Sequence, residues 1–428
     1  MKILSLSWEF PPFITGGLGM AVYGMVKSLL KKGVEVDLVL PAKEELYFSL
    51  RREEDVDDLP GVVSHIGGKK VPGDISINDL RKVVGSPLSV YQTTCGARGV
   101  ERAIDELGRT GYFARVADAL RDEYYLYRQV LDYTAMAIDV GRKLGCDVIH
   151  ANDWLTYPAG MVLKSLLGCP LIVHVHATEF DRAGGAGDGR IHNIEYAGMK
   201  YADKVIAVSE YTANLIMEKY HIEADKIHVV HNAYEMGDLP VNHRRIFDEP
   251  TILFMGRITL QKGPDYFIEV ARRVLEVNKN TRFIMAGSGD MERQVLHRAA
   301  AMGLGTHFLS AGFLDRNEVE QILATTDIFL LPSVSEPFGI APLEAMSRGA
   351  VAIISKSSGV AEIIENAYKI DFWDIDQMTS TILELIGNPA KFREMSMRGR
   401  KEVANLKWDQ AVDKILEVFH QAGGVVTC

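Results

Sequence analysis

Short apolar runs alternate with longer amphipathic segments along most of this 428-residue chain. KILSLSW (2–8) precedes a segment in which apolar residues recur at every third or fourth position from Val22 to Leu30, a spacing typical of an amphipathic helix. Gly33 ends this predicted helix, and VEVDLVLP (34–41) is the next predicted strand. Apolar strands separated by helices are typical of parallel βαβ units whose sheet is covered on both faces.

A polar stretch divides this pattern into two series. Residues 232–250 contain prolines and lack periodicity, which favours an interdomain linker. Each series predicts its own doubly wound α/β domain, with a cleft between the two. KWDQAVDKILEVFHQ (407–421) is a predicted amphipathic helix, whereas residues 42–130 show no clear pattern and RREEDVDDLP (51–60) is predicted to be a solvated loop. The other predicted strands are DVIHA (147–151), LIVHVHA (171–177), KVIAVS (204–209) and IHVVH (227–231) in the first series, and TILFMG (251–256), RFIMAG (282–287), HFLSAGF (307–313), DIFLLPS (327–333) and VAIIS (351–355) in the second.

Composition and charge narrow the functional classes. The net charge of -10 disfavours general nucleic-acid binding, which relies on a positive field against phosphate. No run of ~20 apolar residues is present, so no membrane span is predicted. Glu9 and the two prolines that follow it soon after break the N-terminal apolar run, which favours a first buried strand over a signal peptide. We expect a cytoplasmic protein with reduced thiols, since no metal-ligand spacing relates its cysteines, Cys95, Cys146, Cys169 and Cys428.

Ligands of open α/β sheets bind beyond the carboxyl ends of the strands, and the distinctive motifs of this sequence fall at such ends. After the first strand, FPPFITGGLGMAVYG (10–24) places Gly16, Gly17 and Gly19 before a helix, where free N–H groups and the helix dipole favour an anion. The turn lacks the G-x-G-x-x-G dinucleotide pattern, so phosphate binding and a plain tight turn are both open.

A second motif, MGRITLQKG (255–263), follows the first strand of the second series. Arg257 suits bidentate phosphate binding and Lys262 adds a compact positive charge. A pair of solvated surface cations is the alternative. Two Asp-x-Asp pairs that could hold a divalent ion, at 55–57 and 374–376, lie away from the strand-end motifs and are predicted to be solvated surface.

A third motif, SEPFGIAPLE (335–344), joins a predicted strand to a predicted helix. Gly339 shapes the turn, and Pro342 suits the first turn of the helix. Glu336 lies at the strand end and Glu344 inside the helix, and a carboxylate readily accepts two hydrogen bonds from the vicinal hydroxyls of a sugar or ribose. The alternative is that Glu336 caps the helix while Glu344 is solvated.

Histidines and carboxylates follow two strands of the first series, in HANDWLT (150–156) and HVHATEFDR (174–182). A metal site is not predicted, on the expectation that His174 and His176 lie on opposite faces of their strand. His176, at the strand end, is the candidate for a role in the cleft, and His174 is predicted to be a core residue. Trp154 is either a sugar-stacking platform or a buried side chain.

Together these motifs resemble the retaining glycosyltransferases of the GT-B fold, in particular the group 1 (family 4) transferases and the related glycogen and starch synthases. The E-x7-E stretch SEPFGIAPLE carries most of the resemblance, and GRITLQKG, TGGLG and HANDW support it. The resemblance implies two Rossmann-like domains that face each other across a cleft. An acceptor-binding domain would cover 1–240, completed by 406–428 through a C-terminal crossover helix, and a nucleotide-sugar-binding domain would cover 250–405.

The resemblance also implies roles for single residues. Arg257 and Lys262 would neutralise the departing diphosphate, and Glu336 would hold sugar hydroxyls near the anomeric carbon. Glu344 would bind the ribose diol, and His176 would contact the donor sugar.

The implied sites can be stated as sets. Asp153 and Trp154 would lie on the acceptor side. The implied catalytic residues are Arg257, Lys262, Glu336 and His176. The implied donor-binding residues are Gly17, Arg257, Lys262, Phe313, Leu314, Glu336, Phe338, Gly339, Ile340, Ala341 and Glu344.

The implied activity is transfer of a hexose, glucose foremost, from a nucleotide-diphosphate sugar to a hydroxyl of an α-glucan or other carbohydrate, with retention of configuration. UDP- or ADP-glucose would be the donor, and no metal or other cofactor would be required. Glycogen synthases carry a Lys before TGG and an Asp after the loop, where this chain has Ile14 and Met20, so its diphosphate pocket would have one cation fewer than theirs. A non-catalytic nucleotide-sugar sensor subunit and a nucleotide-sugar epimerase of the same fold are the alternatives.

Overall fold

The computed structural model of the protein describes residues 1–11, 17–41, 65–66, 69–70, 88–91, 113–120, 125–235 and 245–423. The predicted solvated loop at 51–60, the Asp-x-Asp pair at 55–57 and the middle of the predicted linker lie outside these residues. The described residues form two large parallel sheets, which confirms the prediction of two doubly wound α/β domains.

The N-terminal sheet contains seven strands in the order β5-β2-β1-β6-β7-β8-β9. Its central strands are buried on both faces, since neighbouring residues such as Ile3 and Leu4 pack into different hydrophobic clusters. Two-sided burial explains the continuous apolar runs of the sequence. The strands are β1 (Lys2–Leu6), β2 (Glu35–Val39), β5 (Leu88–Tyr91), β6 (Val148–Asn152), β7 (Leu171–Val175), β8 (Lys204–Ala207) and β9 (Ile227–Val229), while β3 (His65–Ile66) and β4 (Lys69–Lys70) form a separate antiparallel pair.

The C-terminal sheet contains six strands in the order β12-β11-β10-β13-β14-β15. In both sheets the strand order reverses once, between β1 and β6 in the first and between β10 and β13 in the second. Loops that leave the two strands at such a point diverge, and the crevice between them is where open α/β sheets bind ligands. The strands are β10 (Thr251–Met255), β11 (Arg282–Ala286), β12 (Phe308–Gly312), β13 (Ile328–Leu331), β14 (Val351–Ser355) and β15 (Tyr368–Ile370).

Helices connect and cover the strands. Short polar side chains start several of them: Asp188 accepts a hydrogen bond from the Arg190 N–H, and Ser209 accepts one from the Thr212 N–H. The described helices are α1 (Gly17–Lys31), α2 (Phe113–Leu120), α3 (Tyr125–Leu144), α4 (Tyr157–Leu167), α5 (Glu179–Ala183), α6 (Gly189–Tyr201), α7 (Glu210–Tyr220), α8 (Pro264–Val277), α9 (Glu292–Ala301), α10 (Arg316–Ala324), α11 (Ala341–Ser347), α12 (Ile375–Gly387), α13 (Pro389–Val403) and α14 (Trp408–Gln421). None of these described helices is long and apolar enough to cross a membrane.

Helix α14 returns from the C-terminal sheet to the N-terminal one and packs on α1. Trp408 and Val412 of α14 share one hydrophobic cluster with Val22 of α1. Ser28 donates a hydrogen bond of 2.6 Å to Asp409, which joins the two helices at their polar margin. The core of the N-terminal half therefore includes residues from the far end of the described chain.

Candidate active site

A buried ion pair lies in the crevice of the C-terminal sheet. Lys262 ends the turn that follows β10, and Glu336 lies in the loop that follows β13, so the two side chains come from the two sides of the crevice. The Lys262 Nζ lies 2.5 Å from Glu336 Oε2, and the two side chains are 17% and 6% exposed. Ser333 donates a further hydrogen bond of 3.2 Å to the same carboxylate oxygen. A charge pair with little access to water is thus held where a ligand would bind.

Arg257 lies on the same turn as Lys262 but is exposed. Its guanidinium donates a long hydrogen bond of 3.4 Å to the side-chain oxygen of Gln261, which is itself buried. The guanidinium is therefore accessible to a ligand that enters the crevice.

The loop after β13 turns sharply at Gly339, whose φ of +98° is a left-handed value that side-chain-bearing residues avoid. Helix α11 then begins at Ala341, with Ile340 as the residue before it and a proline in its first turn. Glu344, in this helix, is 9% exposed, and Glu336 is engaged by Lys262 rather than by the helix start. The alternative of a capping Glu336 and a solvated Glu344 does not match this arrangement.

Aromatic and aliphatic residues predicted to bind the donor differ in exposure. Phe338 is 3% exposed and packs in a cluster with Leu343 and Val360, so its side chain is part of the core and only its backbone can face a ligand. Phe313, directly after β12, is 69% exposed, and Leu314 is half-buried against the C-terminal core.

The N-terminal sheet contributes predicted residues at the ends of β1 and β6. Gly17 is the exposed first residue of α1, with open space where a side chain would be. Asp153 has a φ of +60°, and its carboxylate accepts hydrogen bonds from the N–H of His176 at 2.7 Å and of Ala177 at 3.3 Å, so it fixes the chain at the end of β7. Burial raises the pKa of Asp153. Trp154 is 4% exposed, which corresponds to the buried alternative and not to a sugar-stacking platform.

Three histidines form a column at the carboxyl end of the N-terminal sheet. The His174 and His176 rings stack 4.3 Å apart, and His150 lies 5.4 Å from His174. The prediction that His174 and His176 face opposite sides is wrong, because residues two apart along an extended chain lie on the same face, and the two rings stack. The prediction of a core His174 is confirmed, since it is 1% exposed.

Burial keeps this histidine column neutral. Desolvation lowers the pKa of His150 and of His176 to about 3, and the pKa of His174 lies well below its usual value. The Nε2 of His176 lies 3.1 Å from the side-chain oxygen of Asn152. The Nδ1 of His176 is buried and has no hydrogen-bond partner among the described residues. His176 is therefore a neutral ring held beside Asn152 at the end of β7.

Within the described ranges, no group of three or more His, Cys, Asp or Glu side chains is arranged to hold a metal ion. The Asp-x-Asp pair at 374–376 lies at the protein surface, as predicted. Asp374 caps α12, and Asp376 is exposed and pairs with Arg273.

Several polar residues of the cleft were not singled out from the sequence. Ser335, directly before Glu336, donates a hydrogen bond of 2.5 Å to Asp181 in α5, the short helix after β7. Tyr211, at the start of α7, donates one of 2.9 Å to the Ser335 hydroxyl. Ser333 and Ser335 lie within three residues before the first glutamate of SEPFGIAPLE, and this closeness is the sequence signal that points to them.

Comparison with known proteins identifies the family. A starch synthase catalytic domain profile matches residues 2–230, more than half of the chain, and a profile of the glycosyl transferases group 1 matches residues 240–402. This chain is a glycosyltransferase of the glycogen and starch synthase type. The family assignment confirms the resemblance carried by SEPFGIAPLE and GRITLQKG.

Relatives of this glycosyltransferase match along nearly its whole length. An uncharacterized glycosyltransferase of Methanocaldococcus jannaschii is 26% identical, with 98% of each chain covered. The glycogen synthase of Mycobacterium tuberculosis is 24% identical, over 98% of this chain and 94% of its own. The catalytic domain of starch synthase IV from Arabidopsis thaliana, bound to ADP and acarbose, superposes with a TM-score of 0.72 at 18% identity, over 99% of both chains. The last comparison shows a shared GT-B fold.

Proposed function

We propose that this glycosyltransferase moves glucose from UDP- or ADP-glucose to a hydroxyl of a carbohydrate acceptor, with retention of the anomeric configuration. The observation that carries the proposal is the Lys262–Glu336 pair, buried in the crevice between β10 and β13. Removing two opposite charges from water is expensive, and their mutual attraction often fails to repay it. A ligand with phosphate oxygens for the lysine and hydroxyls for the carboxylate would supply each buried charge with a binding partner.

The leaving group explains why cations lie in this crevice. When the bond from the sugar to the diphosphate breaks, negative charge grows on the phosphate oxygens while the sugar becomes oxocarbenium-like. Lys262 and Arg257 supply fixed positive charge for these oxygens, and preorganised charges of this kind are usually the largest catalytic effect. The leaving phosphate would take the proton of the acceptor hydroxyl, so the chain needs no separate general base and no divalent ion.

Glu336 and His176 act on the sugar. Glu336 neutralises Lys262 before the donor arrives, and once the diphosphate takes over the lysine, its carboxylate can accept hydrogen bonds from the sugar hydroxyls. His176 stays neutral because burial lowers its pKa to about 3, so it binds a hydroxyl and adds no charge to the oxocarbenium. Glu344 would accept hydrogen bonds from the ribose diol.

The two halves of the molecule would bind different substrates. In the proposed division, residues 250–405 hold the nucleotide sugar, and residues 1–240, completed by 406–428, hold the acceptor. Gly17 would present its N–H to the diphosphate, and Asp153 would act by holding the end of β7 on which His176 lies.

Donor binding can be tested by thermal unfolding of the purified protein with UDP-, ADP- and GDP-glucose. A ligand present at 100 times its Kd stabilises the folded state by about 2.7 kcal/mol, which raises the midpoint measurably. The stabilising donor is then assayed for release of nucleotide diphosphate, first without an acceptor and then with maltooligosaccharide, glucose 6-phosphate or sucrose. NMR of the product determines the anomeric configuration.

The outcomes separate the candidate functions. Nucleotide release that rises with acceptor and survives EDTA is the expected result. Binding without turnover would favour the sensor subunit, and conversion of the donor without an acceptor would favour the epimerase. The variant Glu336→Gln should bind the donor and lose turnover; full turnover in this variant would contradict the assigned site.

A further inference from the structure

The loop that carries Glu336 is fastened by the opposite half of the molecule. Ser335 donates its hydroxyl proton to Asp181 Oδ1 at 2.5 Å and accepts a hydrogen bond from the Tyr211 hydroxyl at 2.9 Å. Both partners follow strands of the N-terminal sheet, whereas Ser335 follows β13 of the C-terminal sheet. The serine hydroxyl thus uses its one donor and an acceptor position across the cleft.

The residue on the other side of Glu336 is fastened in the same way. The carbonyl oxygen of Pro337 accepts hydrogen bonds from the Ser209 hydroxyl at 2.6 Å and from the Thr212 hydroxyl at 3.3 Å. Ser209 and Thr212 lie at the start of α7, next to Tyr211. Glu336 therefore has a cross-cleft hydrogen bond on each flank, while its own carboxylate stays with Lys262.

Asp181 is oriented for this contact by its own loop. Its Oδ2 accepts hydrogen bonds from the N–H and the hydroxyl of Thr178, both at 2.8 Å, which leaves Oδ1 for Ser335. Asp181 and Ser335 are 1% and 7% exposed, so water does not compete for the bond. The same loop begins at His176, so the contact also fixes the position of the Glu336 loop relative to that ring.

We propose that Asp181, Tyr211 and Ser335 are positioning residues that fix the loop around the Glu336 carboxylate across the cleft, in addition to the contacts that Lys262 and Ser333 give it within the C-terminal half. This inference rests on the proposed transfer reaction, and it adds that the N-terminal half completes the donor site of the C-terminal half. The chain of hydrogen bonds from Tyr211 through Ser335 to Asp181 makes the donor loop respond to closure of the cleft.

The test uses the full-length variants Ser335→Ala and Tyr211→Phe, each of which removes one hydroxyl. Losing such a bond should lower kcat about 10-fold while the Kd of the nucleotide diphosphate changes less than about 2-fold. The double variant should be about as slow as Ser335→Ala alone, because either change breaks the same chain. Ser28→Ala is the control: it removes a part-buried serine–aspartate bond of 2.6 Å between α1 and α14, away from the cleft. It should lower the unfolding midpoint and keep kcat.

Hydrogen exchange measures loop position without any turnover. The N–H groups of Val334 and Glu336 bond to carbonyls of Gln261 and Ser357 within the C-terminal half, so they report on the loop itself. Tyr211→Phe, a change in the other half, should speed exchange at both amides, and Ser28→Ala should not. Unchanged exchange, or a kcat equal to that of Ser28→Ala, would overturn the inference. If the unaltered protein transfers no sugar with any donor, the proposed function fails and the exchange rates still decide the loop contact.

Discussion

The two sheets present opposite kinds of chemistry at the edges that face the cleft. The C-terminal edge has Lys262 and Glu336, a pair of full charges held 2.5 Å apart, with Arg257 exposed beside them. The N-terminal edge has three histidines whose pKa values burial lowers far enough to keep them neutral at every physiological pH. The C-terminal edge therefore aims charged groups into the crevice, whereas the N-terminal edge adds neutral imidazoles beside the carboxylates of Asp153 and Asp181.

The difference indicates that the C-terminal edge binds the anion, whereas the N-terminal edge limits the access of water to it. Charged groups act most strongly where little water competes with them, and a neutral wall opposite the charges helps to exclude it. A cationic histidine column would instead draw the diphosphate toward the wrong half. Changes to the charged edge should therefore affect turnover, whereas a change to the fully buried His150 should affect the pH dependence of folding.

The largest expected effect comes from the charged edge. Lys262→Ala should lower kcat by ~10²–10³, the usual loss when a fixed group that stabilises developing negative charge is removed. Lys356→Ala is the matched control, since Lys356 is an exposed lysine of the same half that pairs with Asp371 at 2.7 Å. Steady-state kinetics with the donor found by thermal unfolding measures both. Equal losses in the two variants would show that the lysine acts through general charge and not through its place in the crevice.

A smaller effect should come from the neutral edge and appear in stability. An unfolded histidine takes up a proton below its ordinary pKa of 6.5, whereas folded His150 resists protonation down to about pH 3. The folded state therefore binds fewer protons in that window, so stability falls as pH falls below 6.5. His150 alone should account for about 2 kcal/mol of the loss between pH 7 and pH 5.

Urea unfolding at pH 7 and pH 5 measures this slope. The variant His150→Gln should lose less stability between the two pH values than the unaltered protein, whatever its stability at pH 7. His297→Gln, on the exposed face of α9, should leave the slope as it is. If His150→Gln kept the full acid sensitivity, the histidine column would not be its source.

The smallest effect distinguishes backbone strain from site geometry. Gly339 and Gly349 share a φ of +98°, at the two ends of α11. Alanine at either position should destabilise the fold by roughly 1–2 kcal/mol, because a side chain disfavours this conformation. An alanine at 339 would also bring its Cβ within 3.1 Å of Glu336 Cγ, so only Gly339→Ala should slow turnover. Parallel losses of activity in both variants would point to strain alone.

The sequence predicts the strands where burial on both faces makes them continuous apolar runs, and it misses one edge strand of each sheet. The edge strand Tyr368–Ile370 is three residues long and partly exposed, so it carries no apolar run. The second missed strand, Leu88–Tyr91, forms one edge of the N-terminal sheet. It lies within residues 42–130, where the sequence shows no clear pattern.

The candidate site was predicted as motifs and not as contacts. Lys262 and Glu336 are 74 residues apart and Asp181 and Ser335 are 154 apart, so only the packing of loops after separate strands brings each pair together. The expectation that His174 and His176 face opposite sides was wrong on geometry alone, because residues two apart in an extended strand lie on the same face. The stacked rings follow that alternation.

The return of α14 to α1 has a consequence for how the protein is made. A chain synthesised only as far as Leu406 has a complete N-terminal sheet, yet the apolar face of α1 that contacts Trp408, Val412 and Phe419 is still uncovered. Contacts between residues so far apart in sequence slow folding, and apolar surface left open on a partly made chain invites aggregation. The core of the N-terminal half is therefore completed only after the last helix has been synthesised. Chaperones that bind apolar surface should associate with chains that stop short of Trp408.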